Sequence, residues 1–451
     1  MRIRKLTPAL VALGLVAAAL IAPAATPAQT PGQASAYVPG ELLVGFEDGT
    51  ERLLEVPAGV GVREAARALR ANERVAFAAP NYIAVATWAP NDPGPSGKPK
   101  GWRRKQWNFL PCGSDCGQAS GPLNYESRGG LNALGAWRTI RRRGRGSGEG
   151  ARVAVLDSGV AYRSRKPTFR KSPDFARKQF LRGYDFVQND KLPLDQYGHG
   201  THVAGTIAER TDNGIALTGL APAAKIIPVR VLNAGGLGTA RDITRGIRFA
   251  IKRRADVINM SFEFGANVGS CKKVPTICRA LISATNRHGV LVVASAGNDG
   301  DSTINHPAAV SRVLAVGGTT QGACVADYSD HGSGLDLTAP GGGSSGQVGC
   351  QDSSAGSIFQ LTFQGFSFRR FGYPGGYHGT SMAAAHASGV AAMVISSGVL
   401  GRHPRRLALE CQLEATARDS TTELGQPYDS NLMGAGLIDA AAAVAARAPG
   451  C

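Results

Sequence analysis

The chain has 451 residues, of which 43% are hydrophobic, and its 50 basic and 33 acidic residues give a formal net charge of +17. This composition is ordinary for a globular protein and argues against disorder as the main state. The basic residues are scattered along the chain and form none of the usual modules that read nucleic acid. We therefore interpret the charge as a solvated surface and expect no nucleic-acid partner.

The start of the chain has the pattern of a secretory signal peptide. Arg2, Arg4 and Lys5 precede an apolar stretch that ends in small residues. The stretch is short for a membrane span, which needs roughly 20 residues. We predict a signal peptide over residues 1–28 and a secreted, extracellular mature protein without membrane association. An uncleaved membrane anchor is the alternative.

Residues 36–90 read as a small α+β domain. A strand is predicted at ELLVGF, a helix at VREAARALRA and a second strand at VAFAAPNYIAV. The following stretch, WAPNDPGPSGKPKG, is dense in proline and glycine, which is typical of an exposed connector that proteases cut readily. We assign residues 91–129 to this linker and the start of the mature region.

From residue 151 onward, apolar runs alternate with amphipathic helices. Predicted strands at RVAVLD, KIIPVRVL, DVINMSF and VLVVASAG are separated by helices at HVAGTIAE, ARDITRGIRFAIKRR and residues 277–287. Such strands indicate a mostly parallel sheet covered on both faces, with functional groups at the carboxyl ends of the strands. Asp157, Ser261 and Asn298 follow or end three of these strands and should therefore meet at one edge.

Four segments supply what peptide-bond hydrolysis requires: a nucleophile, a base, a group that orients the base and a donor for the oxyanion. They are VAVLDSG with Asp157, YGHGTHVAGT with His199, SAGND with Asn298 and GTSMAAAHASG with Ser381. These segments resemble the signatures of the subtilisin family of serine proteases, in the Asp, His, Ser order of that family. The resemblance covers roughly residues 130–445.

The resemblance implies a role for each matching residue. Ser381 would be the nucleophile at the start of a helix, His199 the general base and acid, Asp157 the group that orients it, and Asn298 the oxyanion donor. The family fold is a three-layer α/β structure, which we expect over residues 130–451. The small domain would be the family's inhibitory propeptide, with a ferredoxin-like fold. It would be removed by a cut between Ile83 and Trp107, unless it is a dispensable extension.

Departures from the family concern the primary specificity pocket. Where the family usually has glycines after the DVINMS strand, this chain has Phe262, Glu263 and Phe264. We assign Ser261, Phe262, Glu263 and Asn305 to substrate binding. An inward-facing Glu263 or Asp299 would favour a basic P1 residue, whereas solvent-facing carboxylates would leave a broad, apolar preference.

A second departure is Ala385, which stands where the family generally has a proline before the helix histidine. Alanine suits a helix better than proline does, so no loss of activity is expected. The segment from Cys350 to Tyr377 is rich in Gly, Phe and Ser and could either wall the substrate cleft or form a surface excursion.

Metal binding has two candidate locations in the sequence. His199 and His202 are three residues apart, but no glutamate between them makes HExxH, so we interpret His202, like His386, as a buried packing residue rather than a zinc ligand. Family members often hold a structural calcium ion, and here Asp174 and Asn213 stand at comparable places. A plain surface loop is the alternative. We expect no organic cofactor.

The eight cysteines of an exported chain favour disulfides, and we predict pairing between neighbours. The predicted pairs are Cys112/Cys116, Cys271/Cys278, Cys324/Cys350 and Cys411/Cys451. The sequence thus predicts a secreted, monomeric serine endopeptidase that acts on protein or peptide substrates and carries its propeptide as an intramolecular inhibitor. The alternative function is that of a catalytically silent binding protein with the same fold. An α/β-hydrolase esterase is disfavoured because the nucleophile segment GTSMA lacks the G-x-S-x-G elbow.

Overall fold

The computed structural model describes residues 37–82, 90–98, 100–112, 127–264, 268–347, 349–350, 352–365, 367–420 and 427–451. The chain divides into two compact units, Met1–Trp88 and Ala89–Cys451. The predicted signal peptide lies outside the described residues. No helix within the described ranges is both long enough and apolar enough to cross a membrane.

The first unit is an antiparallel three-stranded sheet with one helix. Its elements are β1 (Tyr37–Phe46), β2 (Glu51–Glu55), α1 (Val62–Leu69) and β3 (Val75–Tyr82). The sheet order is β2-β1-β3, and Leu42, Val44, Ala66 and Ala78 form its core. Strand β2 was not predicted, because ERLLE does not alternate apolar and polar residues. It forms because the turn before it, with Gly49 at φ +78° and Asp48 accepting from Thr50 N, folds the chain back onto β1.

The second unit is built on a seven-stranded sheet in the order β10-β9-β8-β7-β4-β6-β5, in which all neighbours are parallel. Its strands are β4 (Arg152–Asp157), β5 (Tyr184–Asp185), β6 (Lys225–Arg230), β7 (Val257–Met260), β8 (Leu291–Ser295), β9 (Leu314–Thr319) and β10 (Leu337–Pro340). Strands β7 and β8, in the middle of the sheet, are buried along their whole length, because helices cover both faces and leave no polar side for water. The predicted parallel sheet is confirmed.

Helices flank this sheet. They are α2 (Ala133–Arg142), α3 (His199–Ala208), α4 (Ala240–Lys252), α5 (Pro275–Ile282), α6 (Thr380–Ser397), α7 (Arg406–Ala415), α8 (Ser430–Met433) and α9 (Ala440–Ala445). A π-helical turn, Ser283–Arg287, extends α5. Alternate strand residues such as Ala154 and Leu156 share a core with α4 and α5, and α6 contacts β7 to β10. The result is the predicted three-layer α/β fold.

Helix α6 is buried along almost its whole length. Its sequence, TSMAAAHASGVAAMVISS, carries small and apolar residues on every side, which is the pattern of a helix inside a protein rather than on its surface. Close approach is needed at Gly389, where a Cβ would lie 2.7 Å from Leu220 Cδ1. This helix fixes the position of Ser381 in its first turn.

Residues 90–112 belong to the second unit, although the sequence predicts an exposed connector over part of them. Trp102 is fully buried and its indole N–H donates to Pro90 O, while Gln106 exchanges hydrogen bonds with Thr218. Asp92 is also fully buried. Proline and glycine here shape short 3-10 turns that pack on the domain, a role that composition alone does not distinguish from a free linker.

Three of the four predicted disulfides are present, namely Cys271–Cys278, Cys324–Cys350 and Cys411–Cys451. The fourth predicted pair includes Cys116, which lies outside the described residues. The segment from Cys350 to Tyr377 contributes to two short hairpins. Its β12 (Asp352–Gly356) pairs with β11 (Gly343–Ser345), which precedes the segment, and its β13 (Thr362–Phe363) pairs with β14 (Phe371–Gly372).

Candidate active site

The predicted catalytic residues lie where strands end and helices begin. Asp157 is the last residue of β4, and Ser261 directly follows β7. Helix α3 begins at His199, and Ser381 is in the first turn of α6. Because β4 and β7 are adjacent and parallel, their carboxyl ends share one edge of the sheet, as the sequence predicts.

His199 is held by a buried carboxylate. Its Nδ1 lies 2.9 Å from Asp157 Oδ1 and 3.0 Å from Oδ2, and Asp157 is fully buried. Burial alone would lower the pKa of His199, but the charge and hydrogen bond of Asp157 and the charge of Asp195 raise it above its usual value. Nδ1 therefore carries the proton, and Nε2 is the nitrogen left to act as a base.

Asp195 was not predicted from the sequence. It is fully buried four residues before His199, with Oδ1 accepting from Ser158 Oγ, Tyr197 N and Gly198 N, and Oδ2 accepting from Thr201 N and Oγ1. The carboxylate satisfies free N–H groups at the start of α3. The only signal in the sequence is an aspartate shortly before a helix, which is common at helix starts.

Ser381 and Ser261 hold each other through reciprocal hydrogen bonds. Ser381 Oγ donates to Ser261 O at 3.0 Å, and Ser261 Oγ donates to Ser381 O at 2.8 Å. Ser261 Oγ also accepts from Asn259 Nδ2. In the structure as described, Ser381 Oγ therefore donates to a backbone carbonyl and not to His199. In ligand-free enzymes a catalytic hydrogen bond is often absent or poorly aligned, and it forms when the substrate binds.

The amide of Asn298 has a defined orientation. Its Oδ1 accepts from Thr380 N at 2.9 Å and from Thr380 Oγ1 at 3.1 Å. Because a backbone N–H can only donate, the amide atom that faces Thr380 must be the oxygen, and Nδ2 points away from Thr380. Gly379 makes this contact possible: its φ is +143°, and a Cβ there would lie 3.1 Å from Asn298 Oδ1. Asn298 lies three residues after the end of β8, and its side chain contacts Thr380, the residue before Ser381.

The residues assigned to substrate binding do not all lie in one place. The carboxylate of Glu263 accepts from Asn298 N and Nδ2 and from Asn305 Nδ2, so these three residues come together. The side chain of Phe262 instead packs against the hydrophobic core, and its carbonyl accepts from Ser295 Oγ. Asp330, which was not predicted from the sequence, also accepts from Asn305 Nδ2 at 2.9 Å.

Comparison with known proteins agrees with this geometry. The family model described as the subtilase family matches residues 148–436, well over half of the chain. The chain belongs to the subtilase family. A thermophilic serine proteinase from Bacillus sp. (strain AK1) is 32% identical to this subtilase over 386 residues, which are 80% of this chain and 79% of that protein.

Further relatives and a solved structure give the same assignment. Subtilisin BL from Lederbergia lenta is 35% identical over 297 residues, or 66% of this chain and 91% of that protein. A protease from Pseudoalteromonas arctica superimposes with a TM-score of 0.61 at 30% identity, over 79% of this chain and 99% of that chain. This subtilase is a serine-type endopeptidase whose substrates are proteins, and an Asp-His-Ser triad is characteristic of its family.

The other two histidines of the motifs are packing residues, as predicted. His202 is fully buried, its Nε2 lies 2.9 Å from Ile358 O, and its ring stacks on Tyr377 with centroids 4.2 Å apart. His386 is also fully buried, between Asn108 Nδ2 at 2.7 Å and Met382 O at 2.7 Å. Burial lowers the pKa of His202 to about 3 and that of His386 to about 4, so both are neutral.

The segment from Cys350 to Tyr377 supports the back of helix α3. Besides the two contacts with His202, Thr362 Oγ1 donates to Gly198 O at 2.6 Å, just before His199. This contact adds a further role to the two alternatives that the sequence leaves open, a wall of the substrate cleft and a surface excursion. The segment braces the helix that begins at His199.

Subtilisins generally bind structural calcium, and the residues predicted for it come together in this subtilase. Asn213 Nδ2 donates to Asp174 Oδ1 at 2.7 Å, and Asp174 is fully buried with no hydrogen bond to its Oδ2. Asp92 accepts from the backbone of Asp212 and Asn213. Burial, together with the negative charge of Asp92, raises the pKa of Asp174 to about 8. The unpartnered Asp174 Oδ2 is an oxygen of the kind that calcium takes as a ligand, whereas Asn213 turns its amide nitrogen toward Asp174.

Proposed function

We propose that this subtilase is an exported endopeptidase made as a precursor, in which Asp157, His199, Ser381 and Asn298 carry the reaction. The observation that carries the assignment is the buried Asp157 carboxylate 2.9 Å from His199 Nδ1, at the same sheet edge as the helix that begins beside Ser381. A buried carboxylate on one nitrogen of a histidine leaves the other nitrogen basic and correctly oriented.

The reaction begins when Ser381 Oγ leaves its hydrogen bond to Ser261 O and turns toward His199 Nε2. Nε2 takes the hydroxyl proton while Oγ attacks the scissile carbonyl carbon, and the resulting imidazolium is stabilised by Asp157. The proton then passes to the leaving amine, which departs and leaves an acyl-enzyme. Water then attacks the acyl carbon while His199 Nε2 takes its proton. The proton returns to Ser381 Oγ as the ester bond breaks, which releases the acid product.

Two donors would stabilise the oxyanion. The Ser381 N–H lies in the first turn of α6, where no preceding helical carbonyl can accept from it, and the helix N-terminus adds positive potential. Asn298 Nδ2 is the second donor, because Oδ1 is occupied by Thr380. We expect Asn298→Ala to lower turnover about 100- to 1,000-fold, as loss of the corresponding side-chain donor does in subtilisin.

The first unit would act as the propeptide that blocks the site until it is removed, and the mature enzyme would be a monomer in the extracellular space. The contacts of Asp92, Trp102 and Gln106 within the second unit argue that processing leaves Pro90 and all that follows in place. A cut farther along would remove buried side chains and the residue that holds the loop at Asn213. Within the predicted range of Ile83 to Trp107, these contacts favour a cleavage site at or before Pro90.

A structural calcium ion would be held by Asp174, Asn213 and Asp92, together with carbonyl groups of the loop after α3. The ion would link the start of the mature region to that loop. It would contribute to stability and take no part in the reaction.

The test compares wild type with Ser381→Ala for casein hydrolysis and for removal of the propeptide. We expect the variant to be inactive and to accumulate as full-length precursor, whereas wild type yields a product whose N-terminus, read by sequencing, lies at or before Pro90. Ser311→Ala is the matched control, because Ser311 is exposed and its hydroxyl makes no hydrogen bond in the described structure. Equal casein hydrolysis by Ser381→Ala would refute the assignment, and an inactive wild type would favour the silent binding protein.

A further inference from the structure

Glu263 lies next to Asn298, the proposed oxyanion donor. Its Oε1 accepts from Asn298 Nδ2 at 3.2 Å and its Oε2 accepts from Asn298 N at 3.1 Å. Asn298 Nδ2 is the donor proposed for the oxyanion, so the Glu263 carboxylate hydrogen-bonds the group that would contact the scissile carbonyl. It is half-buried, so it is reachable from the cleft.

The sheet order shows which part of the substrate Glu263 faces. His199 delivers a proton to the leaving amine, so the leaving group lies on the His199 side, and Asp157 places that side at β4. Glu263 follows β7 and Asn298 follows β8, which is the next strand beyond β7 from β4. The acyl part of the substrate therefore lies toward Glu263, and its first side chain, P1, is the group nearest the carboxylate.

Glu263 lies in a cluster of acidic side chains for which the described residues supply no balancing positive charge. Carboxylate oxygens of Glu263, Asp299 and Asp330 lie within 4.8 Å of one another. None of the three forms an ion pair with a basic side chain in the described part of the chain, and the neighbouring residues 265–267 are Gly, Ala and Asn. Asn305 Nδ2 donates to all three, but a neutral amide does not neutralise them.

The backbone is shaped to bring these carboxylates close. Gly297 has φ +130°, and a Cβ there would lie 1.8 Å from Asp330 Oδ2 and 2.6 Å from Glu263 Oε2. Only glycine fits such a position. Asp330 is fully buried, and burial, with the charges of Glu263 and Asp299, raises the pKa of Asp330 to about 6.

We infer that Glu263 is the specificity-determining residue of the site and selects substrates with arginine or lysine at P1. A guanidinium or ammonium group bound there would hydrogen-bond the carboxylate and supply the missing positive charge. Asp299 and Asp330 would add to the negative potential that attracts it. The inference rests on the proposed function, since it takes Asn298 as the oxyanion donor.

The same geometry predicts that the preference appears in turnover as well as in binding. Negative charge develops on the substrate oxygen at Asn298 Nδ2, and a neighbouring unpaired carboxylate opposes it. A cationic P1 side chain removes that opposition, whereas a neutral one does not. The choice of P1 residue should therefore change kcat and KM together.

The experiment measures kcat and KM for peptides that differ only at P1, with Arg, citrulline, Lys, Leu and Phe. Citrulline has nearly the shape of arginine without its charge. For wild type we expect kcat/KM for Arg to exceed that for citrulline by about 10- to 100-fold, the range for one charge-assisted hydrogen bond. In Glu263→Gln that ratio should fall toward one, partly because turnover of the citrulline peptide rises. Glu149→Gln, which changes an exposed glutamate of the same unit in the same way, should keep the wild-type ratio.

The outcomes separate this inference from the proposed function. Wild type that cleaves none of the peptides and no casein contradicts the proposed function. Cleavage after Leu or Phe that equals or exceeds cleavage after Arg, or a Glu263→Gln variant that slows all substrates equally, overturns the inference while proteolysis stands. Calcium binding measured by calorimetry that disappears in Glu263→Gln, together with no preference for Arg, would assign the carboxylates to a metal and would also overturn it.

Discussion

Asp195 acts on the catalytic histidine through charge and through the start of helix α3. Its five accepted hydrogen bonds hold the turn before His199, and its charge helps to raise the pKa of that residue. Since catalysis needs a neutral imidazole, activity is lost as the pH falls through the His199 pKa. The acid limb of the pH profile therefore reports on this carboxylate.

We expect Asp195→Asn to move the acid limb of kcat/KM to lower pH, because one of the influences that raise the His199 pKa is removed. The amide that replaces Oδ2 cannot accept from Thr201, so the variant should also lose about 1–3 kcal/mol of unfolding free energy. Rate measurements across pH and chemical denaturation separate the two effects. Asp242→Asn is the control, since Asp242 has no resolved influence on His199. A limb that moves to higher pH would contradict the account.

At the scale of single elements, the first turn of α6 depends on Gly379. The residue combines φ +143° with a close approach to Asn298 Oδ1, so it sets both the helix start and the orientation of the oxyanion donor. No pattern of hydrophobic residues reports such a constraint. The sequence shows only a glycine before a threonine.

Replacing Gly379 with alanine should lower kcat and cost about 1–2 kcal/mol of stability, because the new Cβ strains the backbone and pushes on the Asn298 amide. Gly150→Ala is the matched control. Gly150 has φ +85° with nothing within 4 Å of an added Cβ, so it should lose similar stability and keep its kcat. Thermal unfolding and single-substrate kinetics decide this, and equal kcat losses in both variants would show that the contact with Asn298 is unimportant.

Elements with a strong apolar pattern could be predicted from the sequence, and contacts between distant residues could not. Strand β4 and helix α6 are continuous apolar runs, and three of the four local disulfide pairs formed as expected. Asp92 and Asp174 are brought together only by the fold, across more than 80 positions of sequence. The burial of Trp102 could not be predicted because proline and glycine mark packed turns and free linkers alike.

At the scale of the whole molecule, calcium would join the start of the mature region to the loop after α3. We expect a chelator to lower the melting temperature of the mature enzyme and added calcium to restore it, with the shift growing with calcium concentration. In Asp174→Asn this dependence should be lost. Asp330→Asn, in the other acidic cluster, should keep it. A calcium dependence lost in Asp330→Asn and kept in Asp174→Asn would place the ion elsewhere.

The central claim is that Ser381 is the nucleophile because His199, oriented by Asp157, takes its proton. The most direct measurement is labelling with a serine-directed sulfonyl fluoride, with the modified residue located by peptide mass spectrometry. We predict one modified residue, Ser381, in wild type, and almost none in a His199→Ala variant that shows the same circular dichroism. Modification of a different serine, or equal labelling of Ser381 without the histidine, would contradict the account.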